Sequence, residues 1–142
     1  EHETPPYRHC LVAIDGGFES IGDMGYFDTE GYLYLADRQT DMILSGGANI
    51  YPAEVEAAID SFQGVRSSAV IGLPHEDLGN YVHAIVDAPG GIKEEELLSH
   101  LQDRLVRYKI PRSIEFSNEP MRDDAGKVRR KALRQERLNE AN

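Results

Sequence analysis

One cysteine, Cys10, no tryptophan and four phenylalanines occur in 142 residues. A lone cysteine excludes an internal disulfide framework and a paired-cysteine metal site, and it predicts a reducing, cytoplasmic setting. The five histidines fall at no HxxxH or HExxH spacing, so no metal site is expected. No apolar run approaches the roughly 18 residues that suggest a membrane span. Positive charge is also scarce: 15 Lys and Arg stand against 25 Asp and Glu, a formal net charge of −10. Such a surface repels phosphate backbones and anionic lipid, which argues against general nucleic-acid or membrane binding. The opening stretch, EHETPPYRHC, has neither the basic nor the apolar region of a secretory signal. It also lacks an initiating methionine and a helix start, which predicts a piece of a longer chain.

Forty per cent apolar and 28% charged residues are ordinary for a globular protein with one respectable core, or a small domain carrying an extra segment. Residues 1–17 read as irregular, broken by Pro5-Pro6 and Gly16-Gly17. In MGYFDTEGYLYLADR two aromatic-rich runs flank Asp28-Thr29-Glu30-Gly31, the pattern of a β-hairpin with glycine in the turn. A short strand, MILS, then meets Gly46-Gly47, read as a bend from strand into helix. YPAEVEAAIDSF is expected to be that helix, with Pro52 at its first position and acids in its first turn. VRSSAVIGLP and NYVHAIVDA read as strands joined around His75–Gly79. KEEELLSHLQDRLVRY reads as an amphipathic helix with Leu97, Leu98, Leu101 and Leu105 on one face. PRSIEF is a last strand, and a final helix is expected from Lys127 or Val128. The fold class is α+β: a small, mostly antiparallel sheet with flanking helices, preceded by a hairpin at about residues 24–36. Polar residues 37–41 mark a candidate boundary.

Charge is unevenly placed along this acidic chain. KVRRKALRQER, residues 127–137, gathers six cations and one anion. Lys127 directly follows Gly126, a residue that opens backbone angles closed to others. By spacing alone, Lys127 reads more readily as a solvated lysine opening a basic helix than as a functional group.

Four blocks alter that balance: GDMGYFDTEGYLYLADR, DMILSGGANIYPAEVE, AVIGLPHEDLG and RYKIPRSIEF…AGKVRRKALR. In this order they resemble the carboxyl-terminal part of the acyl-adenylating enzymes, over about residues 21–137. The SGGANIYPAEVE form looks more like the fatty- and aryl-acid CoA ligases than like peptide-synthetase modules. The resemblance implies a ligase that joins a carboxylate to ATP (with Mg), releasing pyrophosphate, and then passes the acyl group to coenzyme A. It implies that residues 1–37 end a large amino-terminal domain, 38–41 form a hinge, and 42–142 form a mobile domain that rotates between the two steps. No Ser/Thr/Gly-rich phosphate loop of the TSGTTG kind and no acyl pocket is present, so the segment alone is expected to be inactive. Its implied partners are its own amino-terminal domain, a small carboxylic acid, ATP and CoA.

The same resemblance assigns residues. Lys127 bridges carboxylate and nucleotide during adenylation, where a compact ammonium on a long stem stabilises developing negative charge. Asp23 takes the ribose hydroxyls, and Arg38 approaches ribose or phosphate. Without the resemblance, Asp23 reads as a turn aspartate and Arg38 as a surface arginine paired with Asp37 or Asp41. Thr40 falls at the pivot, where relatives usually carry Lys or Asp. Gly46 and Gly47 line the tunnel for the pantetheine arm of CoA, Gly47 being the better match. His75 is expected in a surface loop, and Tyr108-Lys109 in a structural corner. Two other readings stay open: an adenylating ligase with a carrier-protein thiol as acceptor, and a non-catalytic binding module.

Overall fold

A computed structural model describes residues 8–14 and 17–141. The first unit is a three-stranded antiparallel sheet: β1 (Arg8–Ile14), β2 (Gly17–Phe27) and β3 (Leu33–Arg38), in that order. The expected hairpin is β2–β3. Its turn is held by the Asp28 carboxylate, whose Oδ1 accepts the amides of Glu30 and Tyr32 at 2.9 Å each. These donors, foremost the Tyr32 amide, hold the Asp28 carboxyl below its ordinary pKa. Tyr26 and Tyr34 stack across the strands with centroids 5.1 Å apart. Strand β1 corrects the irregular reading of residues 8–14, whose backbone pairs with β2. The Pro5-Pro6 and Gly16 breakers lie outside the described residues.

A single 3₁₀ turn, Gln39–Asp41, leads to the second sheet. Here β4 (Ile43–Ser45) turns through the glycine pair into β5 (Ala48–Ile50), with Ile43 opposite Ile50. The glycine pair therefore turns a β-hairpin, and the helix follows only after β5. Helix α1 (Pro52–Asp60) starts as expected with Pro52 at its first position. The long strands β6 (Ser67–His75) and β7 (Gly79–Asp87) pair antiparallel over their whole length. Helix α2 (Glu94–Gln102) stops well short of its leucine pattern, and a 3₁₀ turn, Arg107–Lys109, precedes β8 (Ser113–Ser117). The amides of Arg104 and Leu105 both bond the Leu101 carbonyl, so the chain tightens out of the α-helix while Leu105 still reaches the core.

Strand β8 runs parallel to β7; the other pairings in this sheet are antiparallel. The α+β class stands, with more strands before α1 than the sequence reading gave. Helix α3 (Arg130–Glu140) begins later than expected, leaving Lys127 in a loop. The core joins Ile50, Val55 and Ile59 to Val70, to Val82, Ala84 and Val86 of β7, and to Leu97 and Leu101 of α2. Each Val, Leu or Ile among them contributes about 1.5–3 kcal/mol on burial. Alternation along β7 sends these residues one way and His83 the other, towards Glu115 of β8, which α3 contacts through Arg137.

Candidate functional site

Lys127 lies in a small hairpin before α3, opposite Asp123 and one residue from its base. Arg122 and Val128 pair as an antiparallel bridge at its base. Asp123 then organises the turn from within: its Oδ1 accepts the amides of Ala125 at 3.0 Å and Lys127 at 2.9 Å. The Asp123 amide donates to the Lys127 carbonyl at 3.0 Å, and the Gly126 amide to the Asp123 carbonyl at 2.8 Å. Gly126 has φ +74°, a left-handed angle this turn needs and other residues resist. The Asp123 carboxyl is held below its ordinary pKa, first by the Lys127 amide. Lys127 itself is exposed. An ordered backbone thus presents a cation to solvent. The sequence reading placed a helix start at Lys127 or Val128 and passed over the Asp123-x-x-Gly126 turn, the one signal of this hairpin.

Asp23 and Arg38 are register partners on β2 and β3, the Arg38 Nε lying 4.0 Å from Asp23 Oδ1. Of the two neighbours that the ion-pair alternative named, Asp41 takes Arg130, and the Asp37 side chain lies outside the described ones. Arg38 also shares a shallow groove with Asp41 and with Val128–Lys131, immediately beyond Lys127. The structure therefore brings Arg38 close to the lysine hairpin. Thr40 is exposed in the 3₁₀ turn and lines a second groove with Arg130, Lys131 and Arg134.

Gly46 and Gly47 lie elsewhere. Both have positive φ, +56° and +81°, and the Gly46 amide donates to the Leu78 carbonyl at 3.0 Å. A Cβ on Gly46 would come within 3.1 Å of the Leu78 side chain, whereas one on Gly47 would meet nothing within 4 Å. Gly46 borders a groove with Leu78, Arg107, Tyr108 and Arg112, which shares no residue with the two grooves that include Arg130. Gly46 thus borders a different groove from those of Thr40 and Arg38.

Three features escaped the sequence reading. Glu56, 1% exposed on α1, accepts from Arg130 at 2.7 and 3.0 Å and from the Val70 amide at 2.9 Å. Lys109, 2% exposed, meets Glu54 at 2.7 and 2.8 Å, which explains the structural corner. His83, mostly buried, sits 2.6 Å from Ser113 Oγ through Nδ1 and 3.4 Å from Glu115 through Nε2. Burial pushes its pKa down. An acid at a helix face looks solvated in sequence, and the partner that holds the Lys109 corner, 55 residues away, shows only in the fold. His75, expected in a surface loop, ends β6 and holds the next turn, its Nδ1 accepting the amides of Asp77 and Leu78 at 3.2 and 3.4 Å.

Among the described residues no cluster of three His, Cys, Asp or Glu could hold a metal ion. None of their helices is long and apolar enough to cross a membrane.

These elements build a small α+β domain, with a glycine-pair turn and a Gly-Lys hairpin bordering different grooves. The profile of the AMP-binding enzyme C-terminal domain matches residues 54–127, and the chain belongs to that family. The long-chain-fatty-acid–CoA ligase FadD13 of Mycobacterium tuberculosis is 43% identical over 125 residues, covering 87% of this chain and 25% of that protein. A 3-[(3aS,4S,7aS)-7a-methyl-1,5-dioxo-octahydro-1H-inden-4-yl]propanoyl:CoA ligase of Rhodococcus jostii is 42% identical over 137 residues, covering 95% and 26%. The crystal structure of ATP-bound MatB from Rhodopseudomonas palustris matches with TM-score 0.77 and 37% identity over 91% of this chain and 26% of that one. The chain spans about a quarter of the length of the curated relatives it matches.

Proposed function

We propose that this chain is the mobile carboxyl-terminal part of an AMP-forming acid–thiol ligase that makes acyl-CoA from a carboxylic acid, ATP and CoA. In the first step a carboxylate oxygen attacks the α-phosphorus of ATP and pyrophosphate leaves. In the second, the CoA thiolate attacks the acyl carbonyl and AMP leaves. Lys127 serves the first step, its ammonium meeting the carboxylate and α-phosphate as charge builds there. Asp23 accepts the ribose hydroxyls, and Arg38 supports the nucleotide beside it. Mg accompanies ATP, held mainly by the amino-terminal domain.

The observation that carries this reading is the Lys127 hairpin: an exposed ammonium on a backbone fixed by Asp123 and Gly126. The division of the remaining candidates supports a rotation about residues 38–41, with Thr40 as pivot, that exchanges two surfaces at one active site. Gly46 and Gly47 then border the path of the pantetheine thiol, where side chains would obstruct it. Residues 1–37 belong to the large domain. Phe27, Leu33 and Leu35, each at least half exposed, are where the rest of that domain packs.

The relatives' names run from long-chain fatty acids to a ring-fused propanoate, so the acid is assigned only as a small-molecule carboxylate. The test is acid-dependent exchange of labelled pyrophosphate into ATP by the full-length protein, followed by mass analysis with CoA or carrier protein as acceptor. Acid-dependent exchange and acyl-CoA are expected. Exchange with acylation of a carrier alone would reassign the acceptor, and no exchange with any acid would favour a binding module.

A further inference from the structure

We propose that Glu56 positions Lys127, acting through Arg122 and Arg130; the inference rests on the adenylating role of Lys127 above. Glu56 is sealed from solvent, and both its oxygens are engaged. Its Oε1 accepts the Val70 amide at 2.9 Å and Arg130 Nε at 3.0 Å. Its Oε2 accepts Arg130 Nη2 at 2.7 Å and lies 3.6 Å from Arg122 Nη2. The two arginines flank the lysine hairpin, one at its base and one opening α3.

Arg122 connects the carboxylate to the lysine. Its Nη1 donates to the Gly126 carbonyl at 3.0 Å, so it grips the very peptide group that carries the Lys127 amide. Arg130 reaches the other way: its Nη1 donates to Asp41 at 3.1 Å, next to the pivot residue Thr40. One buried carboxylate therefore fixes the hairpin to α1 and, through Arg130, to the domain side of the hinge.

The energetics favour a positioning role over simple stabilisation. Burying a carboxylate with guanidinium partners often gains little over an apolar core of the same shape. Arg130's planar, two-point grip on Glu56 instead fixes geometry, and Arg122 joins the same carboxylate by an ion pair. Lys127 needs that, because its own stem is flexible and exposed, and a displacement of about 1 Å at a reacting centre can cost on the order of 100-fold in rate.

The experiment uses the full-length protein and measures the two half-reactions separately, in single turnovers. Arg122→Gln is the primary variant, because Arg122 is substantially exposed and its loss spares the core. Glu56→Gln is the second; it keeps an acceptor for the Val70 amide while removing the charge. Both are expected to slow adenylation by roughly 10- to 100-fold with the KM for ATP little changed. Thioester formation from supplied acyl-adenylate stays near wild type, and Arg122→Lys restores part of the loss. Combining Arg122→Gln with Lys127→Ala adds no further loss. An equal fall in both half-reactions would mark a merely structural network, and wild-type adenylation by Arg122→Gln would dismiss the link. The Lys127→Ala control separates the two levels. If it adenylates normally, the adenylating reading itself fails, and the positioning role with it.

Discussion

Lys109 Nζ lies 2.7 and 2.8 Å from the two carboxylate oxygens of Glu54, with the lysine side chain 2% exposed and the glutamate 26%. The pair ties the first turn of α1 to the 3₁₀ turn before β8. Losing one partner strands the buried ammonium, so Glu54→Gln should lower folding stability by about 3 kcal/mol. Replacing both, as Glu54→Leu with Lys109→Met, should recover most of that loss. Urea unfolding of the two variants checks this, and a neutral Glu54→Gln would contradict it.

His83 should make folding pH-dependent. Its pKa falls from the ordinary 6.5, first through burial, against the pull of Glu115. The unfolded chain therefore binds the proton more readily, and stability rises with pH across that range. It is complete above about 6.5 and is lost as pH falls towards the lower folded value. Glu115, held down first by Arg137, acts in the same direction at lower pH: its contribution is present above its ordinary 4.5 and is lost as pH drops through the folded value. Between pH 7 and 5, then, His83→Gln should flatten the dependence of Tm on pH. Parallel curves for variant and wild type would refute the assignment.

Gly126 offers a test of the hairpin alone. At φ +74° a Cβ would meet no atom within 4 Å, so Gly126→Ala changes backbone strain without a clash. That strain is about 1–2 kcal/mol, which should raise hydrogen exchange at the Lys127 amide about tenfold. Exchange at core amides of β7 should not change. Gly126→Asn should be milder and Gly126→Val harsher, because asparagine tolerates the left-handed region and β-branched residues do not.

Local chemistry made α1 readable in the sequence, since Pro52 can only open a helix there, and the Asp28–Gly31 turn was equally plain. Helix α2 was overextended because its leucine spacing persists past Gln102; Leu105 enters the core from outside the helix. Strand β5, three residues long, left too short a pattern beside the glycine pair. Residues 127–129 looked helical by composition, yet Val128 is drawn into pairing with Arg122 and Arg130 into Glu56. Of the candidate site, Lys127, Asp23, Arg38 and the glycines were legible as motifs. Glu56 was not, because its burial depends on partners 74 residues away.

If Lys127 and Gly47 serve different half-reactions from different surfaces, single-turnover rates of both half-reactions in the full-length Lys127→Ala and Gly47→Leu variants should cross. Lys127→Ala should slow adenylation by about 100-fold or more and spare thioester formation, and Gly47→Leu should do the reverse. Variants that impair both steps alike, or the same step, would contradict that division.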